Sequence, residues 1–260
     1  MDELIRMEID GRGATAEQAR AYALAEYGHF TAMQVRGGRA RGMALHLARL
    51  ARATAEMFAA DLDGDLVRAR IRQALDAAGT SDASVRVMVF PPQDDQGPVT
   101  LMVTVRPPHT PAGRAQSLMS VPYQRPVPHL KQIGGGFGQT YYRNLAQRAG
   151  FDDALLTGPD GTVAEGAIAN IAFVADGTLV WPDAPVLEGI TMQLLEANLG
   201  GSRRAPVRLA DLGSYDAALL ASARGVLLVG RIDDHVFPQD RQHTAKTVQE
   251  AFAAVPWDAI

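Results

Sequence analysis

The chain opens on an alternating stretch, "LIRMEID", in which apolar and polar residues exchange places with a period of two before Asp10-Gly11. That pattern predicts a strand and a turn. "HFTAMQVR", a Gly-Gly pair and "RARGMAL" read as a second strand and a hairpin. The period then changes. Leu45, Leu47, Leu50 and Met57 recur near helical spacing in an alanine-rich run, so "ALHLARLARATAEMFAADL" predicts a long helix. "DGDLVRARIRQALDAAG" predicts another, with acids at its start and Gly79 beyond its end. Two strands, "SVRVMVF" and "PVTLMVTV", follow across the polar turn "PPQDDQG".

The proline-rich "RPPHTPAGRAQ" interrupts this regularity and marks a linker at about residues 107–113, between a small N-terminal domain (1–106) and a larger C-terminal one (114–260). Beyond it the pattern resumes. "SLMSVPY" predicts a strand and "GQTYYRNLAQRAG" a helix closed by Gly150. "FDDALLTGPDGTVAEG" reads as strand, turn, strand, and "NIAFVADGTLVWP" as a hairpin turning at Asp176-Gly177. "GITMQLLEANLG" predicts a helix, "APVRLADL", "DAALLAS" and "GVLLVGRID" short β segments, and "RQHTAKTVQEAFAAV" a terminal helix. No internal repeat is visible, and the mixture is α+β.

Composition narrows the chemistry. A net charge of −4, with arginines interleaved among acids, gives no reason to expect nucleic acid. The absence of cysteine excludes disulfides, a thiolate metal site and a cysteine nucleophile. The start is charged and alternating, unlike a signal peptide, and no apolar run reaches membrane-spanning length, so a cytoplasmic address without membrane partners is expected.

Among 25 basic residues only Lys131 and Lys246 are lysines. Arginine keeps its proton at any workable pH, whereas lysine can become a neutral, nucleophilic amine. A lysine kept in an arginine background is a candidate for covalent chemistry; chance survival is the competing reading. A lysine that forms a Schiff base serves a carbonyl substrate or an aldehyde cofactor, of which pyridoxal 5'-phosphate is the commonest. That cofactor needs an amine, an acid for its pyridine nitrogen and a phosphate cradle. In "LEGITMQLL", Gly189 permits close approach, and Ile190 and Thr191 open a helix whose N–H groups can face an anion, although Thr191 alone reads equally as a cap. Glu165, set among small residues in a β-rich stretch, is a candidate acid or a solvated turn residue. Arg49, taken alone, is one helical arginine among many.

Together these segments resemble the fold-type IV pyridoxal-phosphate enzymes, the class IV aminotransferase family, which includes branched-chain and D-amino acid aminotransferases and aminodeoxychorismate lyase. The resemblance rests on Lys131, "RAGFDDALL", "DGTVAEG", "AIANIAFV" and "VLEGITM", with "HLARL" and "YGHFTAMQV" upstream, and spans about Tyr27 to Ile232. It implies a small N-terminal α/β domain and a larger β-barrel-like α+β domain with the cofactor between them. By the same resemblance Lys131 carries the cofactor and shuttles the proton, and Glu165 keeps the pyridine nitrogen protonated. Arg49, Ile190 and Thr191 hold the phosphate, joined by Ser222 and Ala223. Arg86 falls where branched-chain enzymes place an arginine near the substrate carboxylate, or is an ordinary strand arginine. A homodimer is also implied.

Three departures stand out. Thr31 follows Phe30 where transaminases carry an acid, which is closer to the lyase branch and puts Thr31 at the substrate. Met192 replaces an arginine. The run after the lysine, Gly134 to Gly136, lacks a tyrosine, and Tyr141 and Tyr142 on the next helix read as core residues. The leading expectation is transamination between an amino acid and a 2-oxo acid. The alternatives are β-elimination from aminodeoxychorismate, giving 4-aminobenzoate and pyruvate, and a catalytically inactive cofactor-binding or regulatory protein. Lys246 is expected on the exposed side of the last helix.

Overall fold

A computed structural model describes residues 3–92, 97–110, 113–133, 136–238 and 243–260. Part of the "PPQDDQG" turn, Pro111 and Ala112 of the linker, and Gly134 and Gly135 after the lysine therefore lie outside the described residues. The chain divides into two compact units, one of Met1–Thr110, Leu130–Gly135 and Pro256–Ile260, the other of Pro111–His129 and Gly136–Val255.

In the first unit β1 (Arg6–Ile9) pairs with β2 (Arg12–Gly13) across the Asp10-Gly11 turn. A helix unassigned from the sequence follows, α1 (Ala16–Ala23), whose start is fixed by a reciprocal capping box between Thr15 and Gln18. β3 (His29–Arg36) and β4 (Arg39–Ala40) form the expected hairpin. α2 (Met43–Phe58) and α3 (Gly64–Ala78) follow, the latter capped by Asp63. β5 (Ala83–Phe90) and β6 (Thr100–Arg106) complete an antiparallel sheet in the order C-terminal strand Asp258–Ala259, β4, β3, β5, β6, β1, β2.

The period-two pattern of β3 decides which side chains meet the helices. His29, Thr31, Met33 and Val35 are buried, while Phe30, Ala32, Gln34 and Arg36 are half-buried on the other face. Met33 and Val35 join Leu50, Val67, Ile71, Val85 and Val87 in one apolar core, which α2 and α3 close. His29 and Thr31 continue the same buried face as polar residues.

The expected division assigned every residue after 113 to the second domain. The fold instead returns two short pieces to the first. Residues 130–133 are drawn in by backbone hydrogen bonds at Lys131 and Ile133, and the C-terminal residues by pairing with β4, where Met43 N also donates to Asp258 Oδ2 at 2.9 Å.

The second unit holds β7 (Gln116–Pro122), α4 (Phe137–Arg148), β8 (Asp153–Thr157), β9 (Val163–Gly166), β10 (Asn170–Ala175), β11 (Thr178–Pro182), α5 (Ile190–Asn198), β12 (Arg203–Ala205), β13 (Ala217–Ser222), β14 (Gly225–Ile232), β15 (His235–Val236) and α6 (His243–Ala254). Its sheet runs β12-β11-β10-β13-β14-β7-β8-β9, with β15 on β14, and curls so that β9 lies against β10. Alternation again sorts the two faces. Ile171 and Phe173 of β10 point to the core inside the curl with Leu118, Leu155 and Phe237, whereas Ala172 and Val174 meet Met192 and Leu195 of α5 and Val248 of α6. The "APVRLADL" stretch does not form one strand. Its Ala205 ends β12, Arg208 makes an isolated bridge to Thr162, and Leu209–Ser214 winds into a 3₁₀ helix held by local bonds such as Tyr215 N to Leu212 O.

Candidate active site

Lys131 sits on a short antiparallel bridge to the start of β3. Phe30 N donates to Lys131 O and Ile133 N to Gly28 O, both at 2.9 Å, and His29 bridges Gln132 between them. Gly28 makes this approach possible, since a Cβ there would lie 2.8 Å from Ile133 Cδ1 and 2.9 Å from Val89 O. The lysine carbonyl and the two residues after it are thus fixed to the start of β3. Its Nζ lies 4.9 Å from the centre of the Phe30 ring, and Arg86 Cζ lies 4.6 Å from the same centre. Ala32 pairs with Arg86 and Phe30 with Met88, so Phe30 and Arg86 share one face of the sheet. Lys246, by contrast, is exposed on α6.

The opposite, helix-covered face carries Thr31, fully buried, with His46 and Arg49 one turn apart on α2. Arg49 Nη2 donates to Thr31 Oγ1 through a short hydrogen bond, and Thr31 Oγ1 lies 2.6 Å from His46 Nδ1. Read alone, Arg49 resembled its many exposed counterparts. The structure buries it to 8 % exposure, gives it no acid in any ion pair among the described residues, and leaves its Nε without a hydrogen-bond partner there. Burial, reinforced by Arg52, holds its guanidinium down to about 10. A buried cation with an unspent N–H suits an anion such as a phosphate. His46 is pushed well below its usual range by burial and then by the charges of Arg49 and Lys131. His29, 3.0 Å from Thr54 Oγ1 through its Nε2, is lowered to about 4 by burial and by Arg49. Both imidazoles are neutral at pH 7.

In the second unit Glu165 lies buried in β9. Arg125 Nη1 donates to Glu165 Oε1 at 3.1 Å and to Pro128 O at 3.0 Å, and both charged side chains are under 8 % exposed. α5 starts at Gly189 with no side-chain cap, so the N–H groups of its first turn are not occupied by a capping side chain. A Cβ on Gly189 would collide with Asn170 Oδ1, and Asn170 Nδ2 donates to Leu187 O at 2.7 Å, which fixes the approach to the helix. Thr191 Oγ1 donates to Ser222 O at 2.7 Å. That bond ties the start of α5 to the β13–β14 turn, so Ile190, Thr191, Ser222 and Ala223 form one backbone-rich corner. Such a corner, with uncapped helix N–H groups, also fits a phosphate.

Met192 is buried in the core beside Trp181 and Leu195. Tyr142 packs beside Val121 and Ala146, but Tyr141 is 48 % exposed and is not a core residue. Arg125, His29, His46 and Asn170 had no role in the sequence reading. For His46 a signal existed, its place three residues before Arg49 on one helical face. Arg125, in "YQRPVP", had none. Among the described residues no helix is long and apolar enough to cross a membrane, and no cluster of His, Asp and Glu could hold a metal ion.

A family model described as amino-transferase class IV matches residues 28–232. Comparison with curated proteins finds no match. Solved structures share the fold. Branched-chain aminotransferase from Escherichia coli is 18 % identical with a TM-score of 0.84, over 97 % of this chain and 95 % of that one. The branched-chain aminotransferase of Thermoproteus uzoniensis, solved with norvaline, is 19 % identical with a TM-score of 0.81, over 96 % of each chain. A hypothetical aminotransferase from Mycobacterium tuberculosis in its PLP-bound form is 23 % identical with a TM-score of 0.78, over 90 % of each chain.

Proposed function

The chain belongs to the class IV aminotransferase family of pyridoxal-phosphate enzymes, and from that premise we propose that it moves an amino group between an amino acid and a 2-oxo acid, with Lys131 as attachment point and proton carrier. The observation that carries this is the clamped Lys131 segment. One of two lysines in the chain is held at the start of β3 by hydrogen bonds through its own carbonyl and through Ile133 N, with its amine against Phe30.

Pyridoxal phosphate, when bound, supplies an aldehyde and a ring that accepts the electron pair left when a substrate carbon loses its proton. The protein's own groups do the rest. Lys131 would hold the aldehyde and would be the base that takes the substrate's α-proton and returns it one position away. Glu165, oriented by the Arg125 hydrogen bond, would hold a proton on the pyridine nitrogen. Arg49 and the corner of Ile190, Thr191, Ser222 and Ala223 hold the phosphate. Arg86, on the same sheet face as Phe30, receives the substrate carboxylate, with Thr31 behind that face. We also propose a homodimer, supported by the exposed, stacked pair Phe137 and Tyr141, which a subunit contact would cover.

Amino-group exchange tests the reading. The purified protein with pyridoxal phosphate is given single amino acids and a labelled 2-oxo acid acceptor. Label appearing in an amino acid supports transamination. Pyruvate formed from aminodeoxychorismate without acceptor assigns β-elimination instead, and neither product across a broad panel leaves a binding protein.

A further inference from the structure

Arg49 is held in an unusual way for a buried cation. Its partner is a hydroxyl, that of Thr31, and the hydroxyl is in turn held by a neutral imidazole. The direction of these bonds follows from the groups themselves. A guanidinium only donates, so Thr31 Oγ1 accepts from Arg49. The hydroxyl then has one hydrogen to place, and the acceptor 2.6 Å away is His46 Nδ1. His46, kept neutral by burial, accepts there and carries its own hydrogen on Nε2. Each member of the chain Arg49 to Thr31 to His46 uses its hydrogen once. Thr31 is rigid about χ1, and it is fully buried on a central strand.

This arrangement orients the guanidinium without cancelling its charge. A carboxylate at position 31 would hold Arg49 as firmly but would neutralise it. The hydroxyl and imidazole leave the full positive charge, and the N–H at Nε, for a ligand. We propose that Thr31 and His46 are positioning residues that aim Arg49 at the phosphate of the cofactor. The inference rests on the reading of Arg49 as a phosphate ligand, and it gives Thr31 a task on the phosphate side, distinct from a contact with substrate.

The test compares pyridoxal phosphate with pyridoxal, which has the same aldehyde and ring but no phosphate. Affinities of both are measured by absorbance titration of cofactor-stripped protein, for the parent chain and for Thr31→Val, Thr31→Ser, His46→Leu, His46→Asn and Arg49→Met. The expectation is that Thr31→Val, nearly the same shape, weakens pyridoxal phosphate by about tenfold or more, the usual size of a lost hydrogen bond to a charged group. Pyridoxal affinity should stay within about twofold. Thr31→Ser restores the parent value. His46→Asn, whose amide oxygen can stand where Nδ1 accepts, is affected less than His46→Leu. If Thr31→Val and His46→Leu lower both affinities by one common factor, or change neither while Arg49→Met selectively loses pyridoxal phosphate, the positioning role is wrong and the Arg49 assignment stands. If Arg49→Met fails to discriminate the two compounds, the phosphate reading itself fails. Unchanged pyridoxal binding also shows that each variant has folded.

Discussion

Removing Arg125 should take a buried ion-pair partner from the Glu165 carboxylate. The guanidinium nitrogen lies 3.1 Å from Glu165 Oε1, and both side chains are almost fully buried. At that separation an effective dielectric of about 20 gives an attraction of about 5 kcal/mol. That is comparable to the roughly 3–5 kcal/mol lost when one member of a buried ion pair is deleted. Arg125→Leu is therefore expected to lower stability by about 3–5 kcal/mol at pH 8. A double-mutant cycle isolates the cause. Glu165→Gln in the Arg125→Leu background separates the ion pair from each side chain's other contacts, and the coupling energy between the two substitutions should be about 2 kcal/mol or more. Urea unfolding followed by circular dichroism at pH 8 supplies all four corners. The reasoning is refuted if Arg125→Leu costs under about 1 kcal/mol, or if the coupling energy between the two substitutions is below about 0.5 kcal/mol.

Two further outcomes follow from the same geometry. His29 stays neutral in the fold down to about pH 4, whereas the unfolded chain takes up its proton near 6.5, so the unfolded state binds more protons between those values. Its contribution is fully present above about pH 6.5 and is lost as pH falls towards 4, a change of about 3 kcal/mol; urea midpoints from pH 4.5 to 7.5 should rise more steeply in the parent than in His29→Gln. Gly189→Ala forces Asn170 away from Leu187 O and shifts the start of α5. Its affinity for pyridoxal phosphate should fall by about tenfold with little change in that for pyridoxal, measured by the same absorbance titration.

Much of the fold could be read along the chain, because most elements carry their own signals. α3 had its acids, its apolar face of Val67, Ile71 and Leu75, and Gly79; the β10–β11 hairpin had Asp176-Gly177. α1 was missed because none of its residues is buried, so no stripe exists to read, and only the Thr15–Gln18 capping box marked it. Lys131 drew attention by chemistry and Glu165 by its setting. The fold adds what spacing cannot: Glu165 is paired with an arginine 40 residues earlier, and Arg49 is distinguished from its neighbours only by burial beside Thr31 and His46. Such pairs depend on register between distant strands and helices, which local pattern does not encode. The return of residues 130–133 to the N-terminal unit was equally hidden, since it depends on a backbone bridge permitted by Gly28.

The central claim is that Lys131 carries the cofactor. The purified protein, loaded with pyridoxal phosphate, is reduced with borohydride, digested and mapped by mass spectrometry, with Lys246 as an internal control exposed on α6. The account predicts a yellow chromophore that bleaches on reduction and a pyridoxyl mass on the Lys131 peptide alone. A colourless protein with both lysines unmodified, or a label on Lys246 and none on Lys131, would contradict it.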